Sequence, residues 1–398
     1  MILQDKKVAI AGGGPGGLTL ARLLQLKGAD VKVYERDVNR QVRVQGATLD
    51  LHHESGLRAL REAGLMPAFK AVYRSGADRI RITDEHAKVY FDQHGQESHD
   101  DFGDPWFRPE IDRGPLRELL LDALQPGTVM WDSYLTGMEK RGEGWILNFH
   151  NGNSAEADIV IAADGANSKI RPLITPIKPF YSGITVVEGN IYDADRNAPH
   201  LAALLKGGKI FAFGDSRTII LSSKGDGSIA FYAGFSTGTD AAKAAAINIR
   251  EQVLEWFKKE YDSWTPVWYE LFEHPGTSFT VRPLYCMPLD QAWTAQHNIT
   301  MLGDAAHLMP PYAGEGVNMA MLDALELSEA LTGDSFTDTL PAIAHYEEQM
   351  LKRFTEVAGI TLDNTLWMHS PEGLKKMLEM FKPTNQTEGI SVAGPELA

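Results

Sequence analysis

A glycine-rich turn near the start of the chain constrains the fold more than any other feature. The apolar run KVAIA at 7–11 predicts a buried strand, GGGPGG follows directly, and apolar residues from Leu18 to Leu24 then recur at helical spacing until Gly28. The next run, VKVYER, predicts a second strand. Strand, turn, helix and strand in this order predict a βαβ unit and a parallel sheet.

The glycine spacing within this turn predicts a site for a dinucleotide. Gly12 permits a tight turn, Gly14 lets a pyrophosphate approach the backbone, and Gly17 lets the helix pack closely on the strand. Glu35, at the end of the second strand, can accept hydrogen bonds from ribose hydroxyls. An acidic residue there disfavours NADP and leaves FAD or NAD, with an ordinary glycine turn as the alternative.

A second glycine turn follows the apolar run in IVIAADGANS, residues 159–168. Asp164 comes directly after this predicted strand, so we expect it beside the dinucleotide cleft, with an Asx-type turn as the alternative. Asn167 and Ser168 are candidates for capping the helix that follows.

The segment 301–318, MLGDAAHLMPPYAGEGVN, contains a third such turn. Asp304 lies just past a predicted strand and can bind a hydroxyl of a sugar alcohol. Gly314 and Gly316 present backbone N–H groups at a helix start, whose positive dipole end suits an anion such as the N1–C2=O edge of a reduced flavin. A loop followed by a helix, without a ligand, is the alternative.

Charge and cysteine content exclude several kinds of partner. With 53 acidic and 38 basic side chains the net charge is −15, which disfavours nucleic acid and stable membrane association. Cys286 is the only cysteine, so the chain can form neither an internal disulfide nor a cysteine-based metal site. His52 and His53 have no partners at ligand spacing, so we interpret them as cap or surface residues and expect no metal. Without a signal-peptide pattern or an apolar run of about 18 residues, we expect a cytoplasmic protein, and a monomer.

The remaining stretches differ in character. Helices and loops are expected up to about residue 125, and a β-rich stretch follows at 129–150. Short β-type segments between turns at 176–285 predict an antiparallel sheet with one buried face, interrupted by an amphipathic helix near 241–262. Apolar residues at helical spacing over 341–369 predict a helix of roughly 45 Å, long enough to brace two domains.

The three glycine segments, in this order and spacing, resemble the class A FAD-dependent monooxygenases of the para-hydroxybenzoate hydroxylase type. Within that group, GATLDLHHESG, REAGLM and EMFKP resemble the TetX-type tetracycline-inactivating monooxygenases. The likeness spans most of the chain and is weakest in 176–285. It implies an α/β fold with a Rossmann-like FAD-binding domain on a parallel sheet, a substrate domain on an antiparallel sheet, and a long C-terminal bracing helix. The predicted division is 1–175 and 286–340 for the two parts of the FAD-binding domain, 176–285 for the substrate-binding domain, and 341–398 for the C-terminal helix and tail.

The resemblance also implies the cofactors. FAD would be bound by the N-terminal unit, and NADPH would reduce it transiently, since the sequence has no second dinucleotide fingerprint. A flavin C4a-hydroperoxide would carry out the hydroxylation, so no catalytic side chain is expected. The expected FAD-binding residues are Gly12, Gly14, Pro15, Gly17, Glu35, Arg36, Arg43, Asp50, Arg113, Asp164, Asp304, Pro311, Gly314, Gly316, Val317 and Asn318. For the three arginines among them, a surface ion pair is the alternative.

The substrate residues expected from the resemblance depart from the family pattern. Glu188, Lys209 and Ala230 stand where the tetracycline-inactivating enzymes have Gln, Arg and His, and Glu315 replaces a Gln between two glycines. Lys lacks the bidentate fork of Arg, and Ala lacks any donor. These departures argue against tetracycline itself but not against flavin chemistry. Apolar contacts to a fused-ring substrate are expected from Phe211, Phe213, Tyr232 and Met380, with a role in the core as the alternative.

The predicted function is therefore an FAD- and NADPH-dependent monooxygenase. It would hydroxylate a polycyclic aromatic or enolic small molecule, with tetracycline antibiotics as the first candidates. The alternatives are a tailoring hydroxylase for another phenol or polyketide, and a flavoprotein that sequesters its ligand without turnover.

Overall fold

The structure is a computed structural model that describes residues 2–42, 48–94, 100–238, 250–274 and 277–382. It confirms the predicted α/β class. The strands are β1 Lys7–Ala11, β2 Asp30–Tyr34, β3 Leu49–Asp50, β4 Ile80–Asp84, β5 Val89–Asp92, β6 Glu110–Ile111, β7 Val129–Met130, β8 Leu135–Arg141, β9 Gly144–Phe149, β10 Ser154–Ala157, β11 Ile159–Ala162, β12 Phe180–Ile191, β13 Lys209–Gly214, β14 Arg217–Ser223, β15 Ile229–Ser236, β16 Ser278–Cys286 and β17 Ile299–Met301.

Helices connect and cover these strands. They are α1 Pro15–Leu26, α2 Gly56–Glu62, α3 Met66–Lys70, α4 Arg113–Asp122, α5 Arg171–Ile174, α6 Ala194–Asn197, α7 Pro199–Leu205, α8 Arg250–Glu260, α9 Glu270–Glu273, α10 Asp304–His307, α11 Gly316–Thr332, α12 Thr339–Met368 and α13 Gly373–Met380, with a 3-10 helix at Pro266–Tyr269. Within the described residues, no helix combines the length and the apolar character that a bilayer crossing requires.

A parallel sheet with strand order β17-β11-β1-β2-β7 forms the first layer. All residues of β11 and β17 are buried, as expected for strands covered on both faces. Because parallel strands end at one edge, the turns after β1, β11 and β17 meet there. The three glycine segments predicted from the sequence are therefore brought together.

Helix α1 confirms the predicted βαβ unit. Pro15 occupies its first turn, where a missing N–H costs nothing, and Gly28 follows its end with φ +81 while its N–H donates to Gln25 O at 3.0 Å. Gly16 allows close packing on α11, since a Cβ there would lie 2.8 Å from Ala320 O.

A seven-stranded sheet with order β16-β12-β15-β14-β13-β4-β5 forms the second layer. Its strands from 176–285 pair antiparallel, as predicted, but both faces of the sheet contain buried apolar residues, so the expectation of one buried face is wrong. The expectation of helices and loops up to about residue 125 is wrong at 80–92, because β4 pairs parallel with β13 and carries β5 at the sheet edge. This pairing joins segments more than a hundred residues apart in sequence, so local patterning does not reveal it. The domain division stays a prediction.

The two faces of this sheet have different neighbours. The outer face packs with α7, α8 and the aromatic residues around Trp268 into one apolar cluster. Of the helix predicted near 241–262, the structure describes α8; residues 241–249 lie outside the described residues. The inner face, with Phe211 and Phe213, packs against Met368 at the end of α12 and Met377 on α13.

Helix α12 confirms the predicted long brace. Its 30 residues span about 45 Å. Near its start Tyr346 Oη donates to Met301 O at 2.9 Å, and near its end Asn364 Nδ2 donates to Tyr312 O at 3.0 Å. Just beyond its end, the buried His369 Nε2 lies 3.0 Å from Thr218 Oγ1 on β14 and 3.2 Å from Tyr312 Oη. The helix thus contacts both sheets and the loop before α11.

We expect Gly17→Ala to destabilise the protein, because a Cβ at Gly17 would lie 2.2 Å from Gly12 O, a backbone atom that cannot move aside. The gain in helix propensity, about 1 kcal/mol, is smaller than the strain. The net loss in the free energy of unfolding should be about 1–3 kcal/mol by urea denaturation.

Gly14→Ala is the matched control. A Cβ at Gly14 meets no atom within 4 Å, and its φ of −77 is open to alanine. Because alanine is a poorer N-cap than glycine, we expect a loss in the free energy of unfolding of about 0.5–1 kcal/mol without added ligand, smaller than that of Gly17→Ala. Equal losses for both variants would contradict the close approach of α1 to β1.

Candidate active site

The candidate site begins at the carboxyl edge of the parallel sheet. Gly12 adopts φ +110, and a Cβ there would lie 2.2 Å from Ala163 O, so the turns after β1 and β11 touch through their backbones. Gly14 is the N-cap of α1 and faces open space. A helix N-terminus with an unobstructed backbone is suited to a pyrophosphate.

Glu35 fixes this turn from the end of β2. Its buried carboxylate accepts from Gly13 N at 2.6 Å and from Asp37 N at 3.0 Å. The structure thus places Glu35 against the glycine turn, as the sequence predicts for a group near a ribose. Arg36 is exposed next to it. Arg43, which was predicted to lie beside the flavin ring, is outside the described residues.

Asp164 lies in the turn after β11. Its Oδ2 accepts from Lys169 N at 2.7 Å, while its Oδ1 is buried without a hydrogen-bond partner among the described residues. Loss of hydration raises the pKa of this carboxyl, against the hydrogen bonds from Ser168 and Lys169. Ser168 Oγ accepts from Arg171 N at 3.0 Å at the start of α5, but the N-cap residue of this helix is Ile170, so neither Asn167 nor Ser168 is its N-cap.

Asp304, the first residue of α10, faces the same edge. Arg171 connects the two turns, because its guanidinium donates to Asp304 O at 2.8 Å and to Ala305 O at 2.6 Å. Loss of hydration raises the pKa of the Asp304 carboxyl, and the charges of His307, Arg113 and Arg171 oppose the shift. Arg113, exposed at the start of α4, is therefore close enough to Asp304 to lower the pKa of its carboxyl. Both residues belong to the set that was predicted to bind FAD.

The loop before α11 is joined to the segment at 50–52. Gly314 adopts φ +65, its N–H donates to Pro311 O at 3.0 Å, and α11 begins at Gly316 as predicted. The buried Asn318 side chain donates to Asp50 O and accepts from His52 N, both at 2.9 Å. Pro311 is exposed and Val317 is half-buried at the two ends of this loop.

His52 lies between two carboxylates at this junction. Its Nε2 is 3.0 Å from Asp50 Oδ2, and its Nδ1 is 3.0 Å from Glu315 Oε1. Burial alone lowers the pKa of His52, but the two carboxylates outweigh burial and raise the pKa to about 9. The interpretation of His52 as a cap or surface residue is therefore wrong. No local signal shows the contact, because Glu315 lies far along the chain.

A second buried ion pair lies next to Asp50. Glu110 is opposite Asp50 in the β3–β6 ribbon, and its Oε1 pairs with Lys209 Nζ on β13. Burial raises the pKa of Glu110 to about 7, with Lys209 opposing and Asp50 adding to the shift. Burial raises the pKa of Asp50 as well, but Lys209 and His52 outweigh it and lower the pKa. We call the five residues Glu315, His52, Asp50, Lys209 and Glu110 the charge row. In this order, the sign of the side-chain charge alternates from each residue to the next.

The inner face of the seven-stranded sheet brings the predicted substrate residues together. Directly opposite one another across four strands lie Phe211, Ile220, Tyr232 and Glu188. The next row contains Lys209, Ser222, Ala230 and Asn190. Glu188 Oε2 pairs with Arg282 Nε on β16. Met380 on α13 is half-buried against the cluster that contains Phe211 and Phe213.

The cleft and the inner face adjoin through the charge row and Arg113. Lys209 extends from the inner face to Glu110, beside Asp50. The charge of Arg113 lowers the pKa of Asp304 in the cleft and opposes the rise in the pKa of Tyr232 on the sheet. A ligand in the cleft would therefore have one end beside the sheet face, where a second molecule can lie.

Comparison with known proteins relates this arrangement to a family. The family model described as an FAD binding domain matches residues 5–335. The chain is 30% identical over 376 residues to the 3-amino-4-hydroxybenzoate 2-monooxygenase PtnB3 of Streptomyces platensis, with 94% of this chain and 91% of that protein covered. It is 26% identical to the monooxygenase penA of Penicillium thymicola, with 94% and 98% covered. The crystal structure of the tetracycline destructase Tet(51) matches with a TM-score of 0.71 at 16% identity and covers 94% of each chain, a likeness of fold alone.

The pKa of His52 predicts a pH-dependent stability. A histidine whose pKa rises from 6.5 to about 9 on folding stabilises the protein fully below pH 6.5, and this stabilisation is lost as the pH rises through about 9. We expect the wild type to exceed His52→Gln in free energy of unfolding by a pH-dependent part on the order of 3 kcal/mol, which disappears over that range.

Chemical denaturation at several pH values measures this difference. His53→Gln is the control, because His53 contacts the exposed Glu54 and Arg61 and lies outside the charge row. A His52→Gln difference that stays constant between pH 6.5 and about 9 would contradict the bridge between Asp50 and Glu315.

Proposed function

The chain belongs to the FAD-binding-domain family of monooxygenases, and we propose that it uses NADPH and O2 to hydroxylate an electron-rich fused-ring phenol or enol. NADPH, a proton, O2 and a substrate C–H become NADP⁺, water and a substrate C–OH. The family assignment supports FAD as the cofactor and monooxygenation as the activity. It also confirms the resemblance that the glycine segments indicated. NADPH as reductant and the substrate class are the proposed parts.

One observation supports this function above the others. The three glycine segments meet at one edge of the parallel sheet, and the inner face of the second sheet lies beside that edge. A cofactor held along the edge would present its reactive end to a substrate on the sheet. This placement is what oxygen transfer from a bound flavin to a small molecule requires.

The residues present fit FAD. Gly14 leaves open space at a helix N-terminus, which suits the pyrophosphate. Asp164 Oδ1, buried without a partner among the described residues, offers an acceptor for a cofactor hydroxyl. Residues proposed to hold FAD are Gly12, Gly14, Pro15, Gly17, Glu35, Arg36, Arg43, Asp50, Arg113, Asp164, Asp304, Pro311, Gly314, Gly316, Val317 and Asn318.

The chemistry divides between cofactor and protein. When bound, FAD supplies electron transfer and the activation of oxygen. The protein's part is to orient the substrate and exclude water. The backbone N–H groups at the start of α11 offer positive potential to an anionic cofactor edge, and His52 compensates the charge of Glu315 in the same loop.

Tetracyclines remain the first substrate candidates, and the fold likeness to Tet(51) supports them. Two inner-face contacts argue against them. Lys209 is held by Glu110 and Glu188 by Arg282, and Ala230 offers no side-chain donor. Another phenol or polyketide is therefore the second candidate, and the relative PtnB3 is by its name a hydroxybenzoate monooxygenase. A monomeric state and a cytoplasmic location stay predictions.

We expect the purified holoprotein to show flavin absorbance and to oxidise NADPH and consume O2 faster when an accepted substrate is added. A panel of tetracyclines and fused-ring phenols, followed by mass spectrometry, should reveal a product that has gained one oxygen atom. NADH in place of NADPH tests the reductant.

Two other outcomes decide between the alternatives. Product formation from phenols but from no tetracycline selects the second candidate. Tight ligand binding without NADPH oxidation or product for any compound contradicts the proposed hydroxylation and indicates a ligand-sequestering flavoprotein.

A further inference from the structure

The inner face of the seven-stranded sheet has few charged side chains, and each basic one is already paired. All seven strands are described, and the register places two basic residues on this face, Lys209 and Arg282. Arg81 and Arg217 point to the opposite side, since Ile82 and Phe211 belong to the inner cluster while Ile219 belongs to the outer one. The charge that a substrate meets on this face therefore depends on Lys209 and Arg282.

Of these two basic residues, Lys209 forms the more deeply buried ion pair. Its side chain is 11% exposed, and its Nζ pairs with the 1% exposed side chain of Glu110. Burial lowers the pKa of Lys209, but Glu110 and Asp50 outweigh burial and raise it, so the ammonium stays charged between two carboxylates. Removing this ammonium from Glu110 would leave a buried carboxylate unpaired, which is costly.

Arg282 is paired at the sheet edge. Its Nε donates to Glu188 Oε2, and the arginine side chain is 57% exposed while that of Glu188 is 20% exposed. An exposed pair of this kind contributes little stability. It nevertheless places a carboxylate, not a free cation, next to Tyr232 in the row that faces the substrate.

Apart from Asp84, which lies opposite Phe213 and accepts from His86 N and Lys88 N, the rest of the face is uncharged. Phe211, Ile220 and Tyr232 form an apolar row, and burial raises the pKa of Tyr232 to about 12, so its hydroxyl is neutral. Asn190 Oδ1 on the same face is buried without a hydrogen-bond partner among the described residues and can accept from a hydroxyl. Such a surface matches a flat, neutral molecule that carries a hydrogen-bond donor.

We propose that this face selects uncharged fused-ring phenols or enols and rejects analogues that carry a carboxylate, because both cations on the sheet, Lys209 and Arg282, are paired, and Arg113, which α4 brings near Tyr232, also faces the Asp304 carboxyl in the cofactor cleft. This inference rests on the proposed function and narrows its substrate class. A carboxylate bound here would lose its hydration beside Glu110, Asp50 and Glu188 without gaining a cation. Rejection by an unpaired charge is an effective source of specificity.

A matched pair of ligands tests the proposal on the oxidised holoprotein without NADPH. 2-Naphthol and 6-hydroxy-2-naphthoate share the same fused-ring phenol, and only the second carries a carboxylate. Dissociation constants come from quenching of tryptophan fluorescence. We expect the wild type to bind 2-naphthol more tightly by about tenfold or more, as for ligands separated by one unpaired charge.

Two substitutions should move this ratio differently. Glu110→Gln releases Lys209 from its carboxylate, so the carboxylated ligand should gain about tenfold relative to 2-naphthol. In the Glu110→Gln background, Lys209→Met removes the released cation without leaving Glu110 unpaired, so the ratio should return to within about threefold of the wild type. Glu356→Gln removes the same charge from the exposed surface of α12 and is the control, with an unchanged ratio. Flavin absorbance and circular dichroism establish that each variant is folded.

Several results overturn the proposal: equal affinities in the wild type, tighter binding of 6-hydroxy-2-naphthoate, no saturable binding of 2-naphthol, or no gain in 6-hydroxy-2-naphthoate binding in Glu110→Gln. The last would mean that the Lys209–Glu110 pair does not determine the rejection. The measurement needs no turnover, so a protein that fails to oxidise NADPH refutes the proposed function separately. Conversely, a protein that hydroxylates phenols but binds both ligands equally refutes this inference alone.

Discussion

The side-chain amide of Asn318 holds the two parts of the candidate site together. It donates to Asp50 O in a buried contact and accepts from His52 N in a part-buried one. Without it the buried carbonyl of Asp50 would lose a partner, at a cost of about 1–3 kcal/mol, and the part-buried N–H of His52 would lose one as well. Because the amide fixes residues 50–52 against the start of α11, it also sets the position of His52 relative to Glu315. The cleft for the cofactor and the charge row therefore share one anchor.

The charge row explains why burial of so many ionisable groups is tolerated near the cleft. Each interior member lies between two opposite charges: His52 between Glu315 and Asp50, and Lys209 between Asp50 and Glu110. The row carries three acids and two bases, so one carboxylate exceeds the available cations. Burial raises the pKa of Glu110 to about 7, and the negative Asp50 opposite adds to the rise, because the single cation beside Glu110 offsets them only in part.

Local patterns in the sequence were sufficient for much of the architecture. The βαβ unit, the antiparallel strands of 176–285 and α12 follow from periodicity and turn residues, and the glycine segments predicted a shared edge. Contacts between segments that are distant in the sequence could not be predicted from local patterns. The addition of β4 and β5 to the second sheet, the His52–Glu315 contact and the Lys209–Glu110 pair join segments that no periodicity connects. The strand residues among the substrate residues predicted from the resemblance lie on one face, whereas Glu315 lies in the loop before α11 and Met380 on α13. Their partners were not foreseen.

The charge row also limits which single substitutions the protein can accept during evolution. A neutral replacement at His52 would leave Glu315 and Asp50 facing each other, and one at Lys209 would do the same to Asp50 and Glu110. Exchanges within the row between related proteins should therefore occur in pairs that preserve alternation. A change of substrate preference that begins at Lys209 requires a compensating change at Glu110, on a different strand of a different sheet.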